Sequence, residues 1–160
     1  MAETQISALI DPAEKVATFQ GYPFHDAALT HFVGMSGIED ERGVVAAKLS
    51  RGDPRAGVFG YENVATADEI TDGQSHTIML IGAGNLAGPW MAAGGSTIRG
   101  AREPYFDSIT GFGSASMPRG GALAVMADGS VRGISADIDP RVFAAMCTIH
   151  GHETVDLPPP

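Results

Sequence analysis

Short apolar runs separated by turn residues set the pattern of this chain. Thr4 to Ile10 reads as a strand ended by Asp11-Pro12, and Gly21-Tyr22-Pro23 as loop. Leu29 to Val33 predicts a short strand closed by Gly34 and Gly37. Gly43 to Leu49 is too short to reveal a helical or extended period. Arg51-Gly52-Asp53-Pro54 predicts a turn, and Val58 to Tyr61 a short extended piece. Thr66-Ala67-Asp68-Glu69 carries a hydroxyl and a glutamate three apart, which is the capping-box spacing. It predicts a single helical turn, because Asp72-Gly73 stops it. Thr77 to Ile81 is the clearest buried strand of the first half.

The last third is patterned more strongly. Leu123 to Ala127 and Ser130 to Ser135 flank Asp128-Gly129, whose positive φ angles predict a hairpin. Asp139 is a good N-cap and Pro140 suits the first helical position. Val142, Phe143, Met146 and Ile149 fall on one helical stripe, so a helix over 139–150 is predicted, stopped by Gly151. Leu157-Pro158-Pro159-Pro160 reads as a loose tail.

Composition sharpens this into a class. Among 160 residues, 21 glycines and 10 prolines favour short strands and turns over long helices. The expected fold is α+β: a small antiparallel sheet of short strands with glycine-rich loops and a C-terminal helix. Ten basic against nineteen acidic side chains give a net charge of -9. That argues against a nucleic-acid partner and against docking on an anionic membrane, since both draw their affinity from Lys and Arg. A single cysteine excludes a disulfide framework and cysteine-rich metal sites. Met1 to Ile10 lacks the order of a secretory leader. Thr77 to Ile98 is uncharged and long enough to span a bilayer, but its glycines and Pro89 read as strand and loop instead. Direct membrane insertion by this chain is therefore not expected.

Candidate chemistry is sparse. Gly82-Ala83-Gly84-Asn85-Leu86-Ala87 fits the dinucleotide fingerprint, but Gly88-Pro89 breaks the helix that the pyrophosphate would need. Cys147 lies near the apolar stripe and reads as a buried thiol. His150-Gly151-His152-Glu153 is the densest cluster of metal-ligand types, but the expected helix end parts its two imidazoles. Asp72, Asp128, Asp137 and Asp139 lie in turns and are the weak candidates for a metal, calcium being the ion suited to clustered oxygens. Turn chemistry alone accounts for Asp72 and Asp128, each placed before a glycine. No G-x-S-x-G elbow supports a Ser–His–Asp nucleophile. No catalytic residue, cofactor or metal is assigned.

Three segments in order resemble the planctomycete DUF1559 proteins. Ile70-Thr71-Asp72-Gly73-Gln74-Ser75-His76-Thr77-Ile78-Met79 is similar to their I-T-D-G-T-S-N-T-I-M segment. Gly120-Gly121 followed by Ala127-Asp128-Gly129-Ser130-Val131-Arg132 is similar to their G-G…A-D-G-S-V-R hairpin. Ile138-Asp139-Pro140 through Phe143 to Gly151 is similar to their closing helix. Thr30 to Gly34, Arg55 to Tyr61 and Gly88-Pro89-Trp90 match more weakly. The resemblance spans about residues 28–155, with 1–27 as a weakly structured N-terminal segment and 156–160 as a proline-rich tail. It implies a pseudopilin-like, non-catalytic structural or protein-interaction module of the cell envelope or extracellular space. With no leader or spanning segment apparent in the chain, a cytoplasmic setting stays open. The sequence departs from the family at Met117-Pro118-Arg119 before the glycine pair, at Ala122-Leu123 after it, and at Ile81-Gly82.

On this reading the chain is a homo-oligomer or a subunit of a larger assembly, with Trp90, His76, Pro89 and Met91 as interface or ligand candidates. Two alternatives stay open. One is a binding module for a carbohydrate, peptide or calcium ion, using Asp72, His76, Trp90 and Asp128. The other is an enzyme whose site is not recognisable from sequence.

Overall fold

The computed structural model describes residues 3–40, 45–107, 109–117 and 119–151. The fold is α+β, with two small sheets and one C-terminal helix. The smaller sheet joins β1 (Thr18–Phe19), β2 (Ala27–Thr30) and β5 (Gly88–Pro89) in the order β1-β2-β5, all antiparallel. The larger sheet contains β3 (Phe32–Ile38), β4 (Ile78–Gly82), β6 (Ile98–Ala101), β7 (Gly121–Met126) and β8 (Val131–Ser135). Its order is β6-β3-β4-β7-β8, and β6 runs parallel to β3 while the other pairs are antiparallel. Helix α1 (Pro140–Met146) follows β8.

Pleating decides which residues meet the helix. Val33 and Met35 of β3, Ile78 and Ile81 of β4, Ala122, Ala124 and Met126 of β7 and Ile134 of β8 are all buried in one cluster. Phe143, Met146 and Cys147 close that cluster from the helix side. Phe143 sits among three rings, with centroids at 4.8 Å for Tyr105 and Phe106 and 6.1 Å for Phe112. Of the apolar stripe read from the sequence, Phe143 and Met146 lie in this cluster and the half-buried Val142 packs against it.

Local chemistry explains most boundaries. The Asp139 carboxylate accepts from the Arg141 N–H at 2.8 Å, and Pro140 opens α1. Thr66 and Glu69 close the expected turn at Ala67–Glu69, where the Glu69 carboxylate accepts from the Thr66 N–H at 2.7 Å. The Gly129 N–H donates to the Met126 carbonyl and the Met126 N–H to the Ser130 carbonyl. Only Gly129, at φ +85°, has a positive φ in this hairpin turn. The loop is therefore three residues long with a left-handed residue at its end, where a two-residue turn with both φ positive was expected.

Other expectations are corrected. Thr4 to Ile10 forms no strand; Ser7–Leu9 is a 3-10 turn. None of residues 4–10 is buried, so burial gave their alternation no face to reward. Leu29 to Val33 is split between β2 and β3 at His31, and both expected stops lie inside β3. Gly34 is needed there because a Cβ would meet the Phe59 ring at 2.7 Å. Helix α1 ends at Met146, four residues before the expected stop at 150. Beyond it, the Ile149 N–H donates to Ala56 and the Ile149 carbonyl accepts from Thr71, so tertiary pairing, not the helix ladder, holds this stretch. Ile149 is buried without belonging to the helix. No helix among the described residues is long and apolar enough to cross a membrane.

Candidate functional site

The four aspartates do not converge. Asp128 lies in the hairpin turn before β8, while Asp137 and Asp139 lie beyond its other end. Each has a local use: Asp128 accepts from the Ser130 N–H and hydroxyl, Asp139 caps α1, and Asp72 accepts from the Gly151 N–H. These bonds, with the neighbouring hydroxyl or guanidinium contributing most, hold the Asp128 and Asp139 carboxyls below the usual range. The Asp137 N–H donates to the Ser135 hydroxyl. Among the described residues no three His, Cys, Asp or Glu side chains gather as a metal site would require. His150 lines a cavity of about 300 Å³ with Arg51, Glu69, Thr71 and Ile149. His152 and Glu153, like the tail 156–160, lie outside the described residues.

The interface and ligand candidates separate into two places. His76 precedes β4, with its Nδ1 3.2 Å from the Ser75 hydroxyl, beside the hairpin turn whose Asp128 N–H donates to Gln74. Trp90 follows β5 at the far end of β4, with Pro89 buried in β5 and Met91 45% exposed. Asp72, His76 and Asp128 therefore lie near one another, but Trp90 does not share their end of the sheet. The Trp90 indole N–H donates to the Thr4 carbonyl at 2.9 Å, so the N-terminal segment covers part of the ring.

Two polar arrangements were invisible in the sequence. The first joins the N-terminal segment to the sheet. Asp11 is 1% exposed, its N–H donates to His31 Nδ1 at 3.1 Å, and its carboxylate accepts from the Ser116 hydroxyl and N–H and the Ala13 N–H. Burial pushes this carboxyl up, but the Ser116 and Ala13 bonds outweigh it and hold it below the usual range. Although Ser, His and Asp meet here, the hydroxyl serves the carboxylate and the imidazole serves a backbone N–H. That is not the order of a nucleophile and its base.

The second is Arg99 on β6. Its guanidinium donates to the Ala83, Leu86 and Gly95 carbonyls at 2.9, 2.7 and 3.3 Å. Burial lowers its pKa, which Glu39 partly offsets. The dinucleotide-like loop Gly82–Ala87 is thus a 3-10 turn, Gly84–Leu86, with carbonyls turned to an internal cation. A phosphate cradle needs N–H groups at the start of a longer helix. Beside Arg99 a cavity of about 450 Å³ is lined by Glu39, Arg102, Glu103, Tyr105 and Thr110. Burial, then Glu103, pushes the Tyr105 phenol up to about 12. Charges of both signs line the cavity.

The sheet face opposite α1 carries a different feature. Register aligns Gly34 with Leu80, Leu80 with Val125, and Val125 with Val131. Phe59 covers Gly34, and Val64 is bridged to Phe59. Leu80 and Val125 are half-buried, while Val131 is 66% exposed. β8 also ends the sheet order. On β7, the Leu123 N–H and Gly121 carbonyl bond to Ser114 on the side away from β8. Their alternation places the backbone groups of Val131 and Gly133 at the outer edge, with no described strand beyond. A solvent-facing apolar row therefore runs into an open strand edge with no charged or proline guard at Val131, Gly133 or Ser135.

Comparison with protein-family models, curated proteins and solved structures finds no match for this chain.

Proposed function

We propose that this chain is a non-catalytic interaction domain, a pseudopilin-like subunit that associates with copies of itself through the β4-β7-β8 face. The observation that carries this reading is the apolar row Leu80–Val125–Val131 running into the open β8 edge. Exposed apolar surface and unpaired strand backbone are both features that another chain can cover. The resemblance to the DUF1559 proteins supports it and points to an envelope assembly. Trp90 and Met91 form a second contact area in the proposal, with Pro89 buried beneath them in β5, and no metal or cofactor takes part.

Val131→Asp tests the reading. A carboxylate at this exposed edge leaves the core untouched but opposes burial against another chain. Sedimentation equilibrium of the parent chain should give a mass above one chain that rises with concentration. The variant should lie close to one chain with its far-ultraviolet circular dichroism unchanged. A parent that stays at one chain throughout would overturn the self-association.

A further inference from the structure

We propose that residues 3–17 form a strap that neutral His31 fastens and that acid loosens, uncovering the Trp90 end of the smaller sheet. This does not rest on the assembly reading. The strap meets the fold at four places: Thr4 at the Trp90 indole, Leu9 at the His31 N–H, Asp11 at His31 and Ser116, and Ala17 at the Leu29 N–H. One of these bonds ends on an imidazole nitrogen, which accepts only while it carries no proton. His31 is buried, and its Nδ1 accepts from the Asp11 N–H. That bond requires an unprotonated Nδ1, so the ring holds its proton on Nε2.

Proton uptake would place a second N–H at Nδ1, facing the Asp11 N–H. Two donors then point at one another inside a buried site, and the bond is lost. The Asp11 carboxylate attracts the imidazolium, but its oxygens already accept from Ser116 and Ala13. The charged groups of the neighbouring elements are Glu14, further along the strap, Asp107, which lines the same cavity as Glu14, and Arg99, beyond Ala83, whose N–H donates to the His31 carbonyl. The fastened strap needs the neutral ring, so proton uptake favours the released form. β1 lies past the strap and keeps its pairing with β2, so release need not unfold the sheet.

Trp90 is the single tryptophan and reports directly on the strap. Its emission and acrylamide quenching should be followed from about pH 7.5 to pH 5, with far-ultraviolet circular dichroism in parallel. The expected result is a red shift and stronger quenching on acidification, with the dichroism unchanged. His31→Asn offers an amide oxygen to the Asp11 N–H without titrating, and should abolish the transition. Should that variant not fold, hydrogen exchange on the parent chain, corrected for intrinsic pH dependence, serves instead. Residues 3–13 should then lose protection at the acid end while β4 and β7 keep theirs. A flat Trp90 signal, a signal that moves only with global unfolding, an unchanged transition in His31→Asn, or unaltered protection of residues 3–13 would each overturn the proposal.

Discussion

Replacing Phe143 by alanine removes a ring that is 0% exposed and ringed by Tyr105, Phe106 and Phe112. Truncating a buried phenylalanine costs about 3–5 kcal/mol, depending on how far the surroundings collapse into the space. Here the surroundings are three rigid rings on one side and the sheet on the other, so collapse is poor. The lost edge and tilted ring contacts, each worth about 0.5–1.5 kcal/mol beyond area, favour the upper half of that range. A loss of about 4–5 kcal/mol is a large part of the 5–15 kcal/mol that typically holds a domain together. The melting temperature should fall by about 10–15 °C for a chain of this size. Urea unfolding should show a lower midpoint with an unchanged slope, the mark of a stability change alone. Phe143→Leu keeps most of the volume but loses the same ring contacts, and should cost less than the alanine variant. A loss below about 1.5 kcal/mol for the alanine variant, or equal losses for the two, would refute the packing argument.

Gly129→Val should cost more than about 1 kcal/mol, measured by thermal melting, because φ +85° resists a β-branched residue although its side chain would meet open space. Asp139→Ala should lose about 1 kcal/mol through the missing N-cap of α1, read by urea unfolding. Cys147, 0% exposed, should react with a thiol reagent only as fast as the protein opens. The Asp11 carboxyl lies below its ordinary value in the folded chain, so its contribution is present above that value and lost as pH falls below about 4. Ser116→Ala should shrink that acid-side loss of stability, measured by urea unfolding across pH.

How much of this was legible in the sequence depended on how local the deciding chemistry was. The Thr66–Glu69 turn, the hairpin at Asp128-Gly129 and the start of α1 at Asp139-Pro140 rest on contacts within three or four residues, and each stands where its residues predict. The end of α1 does not, because Ile149 is held by Ala56 and Thr71, far along the chain. Gly34 and Gly37 read as stops, yet they serve a strand that needs close approach to Phe59 and to the Arg55–Gly57 backbone. Strand β6 passed unnoticed since Ile98 to Ala101 is four residues long and contains Arg99 and Gly100. The polar cluster draws on Asp11, His31 and Ser116, separated by up to 105 residues, and no spacing rule links them. The apolar row was equally hidden: Leu80, Val125 and Val131 become neighbours only once the register is fixed. Trp90 and Met91 stood out by type, but type alone could not show the strap lying against the indole.

The proposed self-association is tested most directly by amide hydrogen exchange of the β8 edge as a function of protein concentration. The Val131 and Gly133 N–H groups point away from β7, and among the described residues none accepts from them. If the β4-β7-β8 face is where copies meet, exchange at Val131 and Gly133 should slow as concentration rises, while Ala124 and Ile81 in the core remain unchanged. Exchange at Val131 and Gly133 that stays fast and independent of concentration would contradict the account.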